Sequence, residues 1–296
     1  MQIPTEPNRF ALPGLLLGGV LIGCSPIWVR LSETGSVSTA FWRLALALIP
    51  LALMAGGGRS GGAGRPKTLR DRVEISLPGV ILGAELVAWH ISLHLTSVAN
   101  STLLVNMAPV FVALFAWIVL KKPPGRLFAL ALAVTIVGVV VLKGGPEALR
   151  GGDLRGDGIA IFAAMLYAAY ILMLGRARQR FATGVIMLWS TAAAAIAVFP
   201  FALITDPSLI PLTLAGWGVL VGLSWISQAG GQSLIAWALA FLPATFSSLT
   251  LLLQPVIAAL LAWAVLDEAL TLSQALGGVI VLCGIWIARA AQMRQA

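Results

Sequence analysis

Apolar residues run along this chain in blocks of about twenty, broken by short stretches of glycine, proline and charge, and a block of that length is what a helix needs to cross a bilayer. Ten blocks qualify: 10–30, 38–55, 76–96, 98–120, 126–142, 158–174, 184–204, 213–237, 243–266 and 272–290. The fourth and ninth are copies. Val105 to Lys122, VNMAPVFVALFAWIVLKK, returns as Leu251 to Glu268, LLLQPVIAALLAWAVLDE. With Pro109 set on Pro255 the offset is 255 − 109 = 146 residues, and Trp117 falls on Trp263, with Ala113, Leu114, Ala116, Val119 and Leu120 also matched. The pattern predicts an all-α integral membrane protein of ten transmembrane helices, in two five-helix repeats over residues 1–146 and 147–296. One copy closes on Lys121 and Lys122, the other on Asp267 and Glu268. Basic loops stay in the cytoplasm while acids are nearly neutral to topology, so the copies point opposite ways. Inverted repeats are a common build of secondary transporters.

Composition agrees: 59% hydrophobic, 10% charged and a mean hydropathy of +0.97 lie far from soluble averages of roughly 45–50% apolar and 25% charged. The net charge of +8 would suit a nucleic-acid partner, but its distribution is topological. With the N-terminus inside, 14 of the 19 Lys and Arg fall on inner loops and termini, leaving five (Arg30, Arg43, Lys143, Arg150 and Arg155) outside. That split puts both termini in the cytoplasm of a bacterial inner membrane, with no nucleic-acid partner. Leu21-Ile22-Gly23-Cys24 resembles a lipoprotein cleavage box, but the apolar run continues through Pro26, Ile27, Trp28 and Val29, so the first helix is retained. Cys24 and Cys283 both lie in apolar blocks and indicate no disulfide framework. The Gly-rich basic stretch from Gly56 to Arg72 reads as a topogenic loop.

Polar residues inside the blocks are the candidate chemistry, because a buried polar group in lipid is expensive. The third block holds Glu85 with His90 and His94. At 100° per residue Glu85, Trp89 and Ser92 share one face, while Gly79, Gly83, His90 and His94 share another about 140° away. The second face reads as a packing seam in which the histidines bond across helices. Arg43, in AFWRLAL, enters the second block near its outer end and is expected to snorkel or pair with a neighbour. The fourth block carries Thr102, Asn106 and Pro109, and the ninth Ser247, Thr250 and Gln254; Pro109 and Pro255 are expected helix kinks. Tyr167 and Tyr170 sit at mid-span rather than in the interfacial belt. Trp225, Gln228 and Gln232 stack at spacings of three and four, on a face expected to look inward. The connector's Asp153-x-x-x-Asp157 is too sparse for a divalent site.

These features together resemble the drug/metabolite transporter superfamily, specifically its EamA-type members: two inverted five-span halves, the Ala-Phe-Trp-Arg43 entry, Ala108-Pro109 and Gln254-Pro255, and the acidic Leu266-Asp267-Glu268 turn before Gly277, Gly278 and Gly284. Within that group the chain looks most like the YddG-type exporters of aromatic amino acids. The resemblance implies a central cavity between spans one, three, four, six, eight and nine. One departure is Lys121-Lys122, where the family turn often carries an acid.

The expected function is export of a small amphoteric metabolite, an aromatic or other hydrophobic amino acid, by alternating access. Trp89, Trp225, Tyr167 and Tyr170 would stack the side chain. Asn106, Gln228 and Gln254 would hold ammonium and carboxylate through neutral amides, with Glu85 and Gln232 beside them and His90, His94 and Trp28 in a second rank. No cation at the membrane centre is expected, which argues against strongly anionic substrates. The rival is proton-coupled export of cationic drugs, with Glu85 as carrier acid and Trp89 and Trp225 as cation-π walls. A membrane enzyme would need a motif such as H-E-x-x-H or G-x-S-x-G, which the chain lacks, so no enzyme, cofactor or metal is expected. The partners are the small-molecule substrate and the lipid bilayer, the protein itself being a monomer or homodimer.

Overall fold

The computed structural model describes residues 8–57, 64–96, 98–121, 123–145, 153–206, 208–267 and 269–293. Residues 58–63 of the Gly-rich loop, Lys122, Glu268 and residues 146–152 of the connector lie outside these. Every regular element among the described residues is helical. The first repeat runs α1 Ala11–Gly23, α2 Ser25–Arg30, α3 Ser36–Gly57, α4 Leu69–Leu95, α5 Val98–Val105, α6 Ala108–Leu120 and α7 Arg126–Leu142. The second runs α8 Leu154–Ala177, α9 Thr183–Thr205, α10 Leu214–Gly222, a π-helical segment Leu223–Gly231, α11 Gln232–Ala238, α12 Ala244–Thr250, α13 Leu253–Leu266 and α14 Leu272–Met293.

Among the described residues eight helical stretches are long and apolar enough to cross a membrane, taking α1 with α2, α5 with α6 and α12 with α13 as one stretch each. The protein is a multi-pass membrane protein. Two of the ten apolar blocks fall outside that set. The fifth forms a helix of only 17 residues, about 26 Å at 1.5 Å per residue, just short of a hydrocarbon core of about 30 Å. The eighth is broken in the middle by the π-helical segment.

The two repeats are legible in backbone and packing alike. Lys121 and Asp267 each end a helix in the left-handed region, at φ 54° and 53°, and they are 267 − 121 = 146 residues apart, the offset of the sequence repeat. Helix α7 packs along α14 and α3 along α9, pairs that a two-fold exchange of repeats maps onto themselves. Helix α4 packs on α8 and α9 as the segment α10–α11 packs on α1 and α3. Glycine permits the closest of these approaches: a Cβ at Gly79 would lie 1.8 Å from the Ser190 carbonyl oxygen of α9, and one at Gly277 2.3 Å from the Leu142 amide nitrogen. The Gly79 and Gly83 face of α4 is therefore a packing seam against α9.

Each repeat also clamps the third span of the other through a short loop. Glu33, between α2 and α3, accepts from the Leu212 and Thr213 amides at 2.9 and 3.1 Å and from the Thr213 hydroxyl. Thr213 in turn caps α10. The Thr213 hydroxyl, followed by these amides, holds the Glu33 carboxyl below its ordinary pKa. Arg180, between α8 and α9, pairs with Asp71 at 2.8 Å and with Glu74, beside the capping box that Thr68 and Asp71 form at the start of α4. The Glu74 carboxylate is the main cause raising the Arg180 pKa.

Candidate functional site

A cavity of about 240 Å³ lies where the two repeats meet, just below the usual range of small-molecule sites, roughly 300–1,000 Å³. Broken helices build its wall. The first break falls between α1 and α2, at Gly23, Ser25 and Pro26; the second between α5 and α6, at Val105, Asn106 and Pro109; the third between α12 and α13, at Leu251, Gln254 and Pro255. Sequence reasoning expects kinks at the prolines. In the structure each stands where one helical run gives way to the next within a single stretch: Pro109 in the first turn of α6 and Pro255 in that of α13. A proline there lacks only an amide that the helix could not have used. The irregular backbone is tolerated at membrane depth because it lines a cavity.

Of the residues singled out from sequence, Glu85, Trp89, Asn106, Tyr167, Gln228, Gln232 and Gln254 converge on this cavity. Asn106 donates to the Thr102 carbonyl one turn back at 2.9 Å. The Tyr167 hydroxyl faces the amides of Gln232 and Gln254. Trp89 Nε1 and Ser25 Oγ, both on lining residues, are buried without a hydrogen-bond partner among the described residues.

Five other candidates take different places. Tyr170 is fully buried behind Tyr167, its hydroxyl donating to Gln232 Oε1 at 3.5 Å. His90 makes no bond across helices among the described residues: its Nδ1 pairs with the Leu86 carbonyl of its own helix at 2.6 Å, and His94 is exposed. Trp28 packs against the α-carbon of Gly222, where a Cβ would meet its ring at 2.8 Å. Trp225 is 47% exposed and does not line the cavity. The cause is the π winding. Bonds from i to i+5 advance each residue by about 82° rather than 100°, so Gln228 and Gln232 stay within about 32° of each other while Trp225 turns roughly 115° off Gln228. Ser92 does not line the cavity, and its hydroxyl bonds that of Ser101 of α5 at 2.6 Å. Of the connector's acids, Asp153 caps α8 and Asp157 accepts from Thr96 at 2.7 Å.

The largest revision concerns charge. Arg43 lines the cavity, and Lys143 at the end of α7 lines it too, so the expectation of no central cation is wrong. Helix α3 begins at Ser36, which sets Arg43 seven residues, about 10 Å, inside the helix. Its Nε donates to Gln228 Oε1 at 3.1 Å, and its carbonyl accepts from Ser224 Oγ at 2.7 Å. Gln228 reaches on toward Thr191 of α9 at 3.5 Å. Gln228 thus braces Arg43 while it lines the cavity itself. A cation well inside an apolar block was the available signal, since such groups mark functional sites.

The model of the EamA-like transporter family matches twice, over residues 9–143 and 154–290. An uncharacterized transporter of Archaeoglobus fulgidus is 24% identical over 283 residues, covering 95% of this chain and 96% of its own. The uncharacterized transporter YwfM of Bacillus subtilis is 27% identical over 228 residues, 74% of this chain and 75% of its own. Human solute carrier family 35 member G1 is 25% identical over 190 residues, 58% of this chain and 50% of its own. A solved crystal structure superposes with a TM-score of 0.79 at 16% identity, over 95% of this chain and 97% of the other, a likeness of fold.

Proposed function

The chain belongs to the EamA-like transporter family, and from that premise we propose that it exports a small amphoteric metabolite, an aromatic or other hydrophobic amino acid, in the manner of YddG-type exporters. Ten crossings in two inverted repeats, 1–146 and 147–296, sit in a bacterial inner membrane with both termini cytoplasmic, as a monomer or homodimer. Transport is by alternating access around a site fixed between the repeats.

The observation that carries this reading is the lining of the cavity, in which the aromatic faces of Trp89 and Tyr167 stand beside charged and amide groups. An apolar ring with a polar head matches such a wall. A liposome flux assay with a panel of labelled amino acids and a lipophilic cation tests it. Aromatic amino acids should be carried in preference to the cation, and a flux confined to the cation would end the reading.

One observation favours a second reading, proton-coupled efflux of cationic drugs. The Glu85 carboxylate is 5% exposed and is reached by no hydrogen bond, nor by any ion pair within 4.0 Å, among the described residues. A proton carrier needs such an accessible, uncommitted acid. Glu85→Gln keeps the shape of the neutral acid but cannot release a proton. Amino-acid exchange should survive it with altered affinity, whereas a wild-type flux that follows a pH gradient and vanishes in Glu85→Gln would select the drug-proton reading.

A further inference from the structure

Two opposite charges of the cavity wall are left with a free working end. The Glu85 carboxylate faces the cavity without a hydrogen bond or ion pair among the described residues. Arg43 spends only Nε, on Gln228 Oε1 at 3.1 Å; Nη1 and Nη2 make no hydrogen bond among the described residues. The two groups feel each other's charge yet no contact within 4.0 Å joins them, and both line the same cavity.

Such an arrangement is costly in a low-dielectric site unless something completes it. The arginine is also aimed. Ser224 holds its backbone carbonyl at 2.7 Å and Gln228 its Nε, the latter braced toward Thr191 at 3.5 Å, so α3, the π-helical segment and α9 together set the direction of the fork. Ser224 and Gln228, four apart, share one side of the segment against α3. A guanidinium whose Nε is occupied still offers its two terminal nitrogens, enough for bidentate capture of a carboxylate.

We propose that Arg43 and Glu85 form a head-group clamp for a zwitterion, the Arg43 terminal nitrogens taking the ligand's carboxylate and the Glu85 carboxylate its ammonium. Gln228 is a positioning residue for Arg43 rather than a ligand contact. The inference rests on the amino-acid reading and deepens it: selectivity for an amphoteric head comes from charges, with Trp89 and Tyr167 left to meet the side chain.

The test separates head group from ring. Purified protein in liposomes takes up a labelled aromatic amino acid in competition with three ligands: the unlabelled amino acid, its methyl ester lacking the carboxylate, and its deaminated acid lacking the ammonium. Wild type should prefer the zwitterion over both analogues by tenfold or more. Arg43→Gln should weaken the zwitterion to the level of the ester and leave the ester unchanged. Glu85→Gln should weaken it to the level of the deaminated acid and leave that acid unchanged. Gln228→Ala should move the pattern partway toward that of Arg43→Gln. Should Arg43→Gln fail to fold, Arg43→Lys serves, expected to lose several-fold for the zwitterion and nothing for the ester, because it keeps charge but not the fork.

Equal losses for all three ligands in both variants would show a structural role and overturn the clamp. So would a wild type that binds ester and acid as well as the zwitterion; the aromatic reading would survive that result. A wild type that discriminates by charge but carries non-aromatic amino acids would keep the clamp and end the aromatic reading.

Discussion

Replacing Gly79 by alanine tests whether the close seam between α4 and α9 positions the site. The added Cβ would stand 1.8 Å from the Ser190 carbonyl oxygen, 2.5 Å from its carbon and 2.8 Å from its α-carbon. Ordinary contact begins near 3.4 Å, so the helices must part by about 3.4 − 1.8 = 1.6 Å, backbone against backbone. Overpacking of this kind costs about 3 kcal/mol, the upper end of its common range. Gly218 of α10 is the matched control. A Cβ there meets nothing within 4 Å, so Gly218→Ala should gain about 0.5–1 kcal/mol from helix propensity alone. Thermal unfolding of detergent-purified protein, followed by size-exclusion recovery, should show the two alanines moving in opposite directions. Function should follow. Glu85 lies six residues beyond Gly79, about 9 Å along the same helix, so parting α4 from α9 displaces it and should lower flux in liposomes. A Gly79→Ala protein as stable and as active as Gly218→Ala would refute the claim that this seam sets the position of Glu85.

Single cysteines at positions 121 and 267 should label from opposite sides of the membrane, the first from the cytoplasm; labelling from one side would contradict the inverted repeat. Gln254→Ala should reduce transport several-fold with little change in thermal stability, since it removes one or two hydrogen bonds at about 1 kcal/mol each; loss of folded protein without a specific transport defect would assign Gln254 to packing. Glu33, whose folded pKa is depressed, should stabilise the protein above the ordinary carboxylate pKa and lose that contribution as pH falls through the lowered folded value. The stability difference between wild type and Glu33→Gln should therefore shrink in acid, and one that grows in acid would reverse the assignment.

The sequence by itself determined the membrane class, the helical blocks and the 146-residue repeat, because a bilayer demands long apolar runs and a duplicated helix keeps its own residues. It also picked out Glu85, Trp89, Asn106, Tyr167, Gln228, Gln232 and Gln254, all of which line the cavity, since polar groups in lipid are rare and stand out. Only the tertiary structure decided which way they turn. Uniform 100° spacing put Trp225 with Gln228, but i to i+5 bonding over Leu223–Gly231 rotates the tryptophan away. Gly23, Pro109 and Pro255 mark breaks in three spans that meet around one cavity, a meeting that no single span reveals. Arg43 was visible in an apolar block, yet its depth depends on where α3 begins and its aim on Ser224 and Gln228, 181 and 185 residues away in the chain. Periodicity reads one helix at a time, whereas the direction of a buried charge is set by its neighbours on other helices.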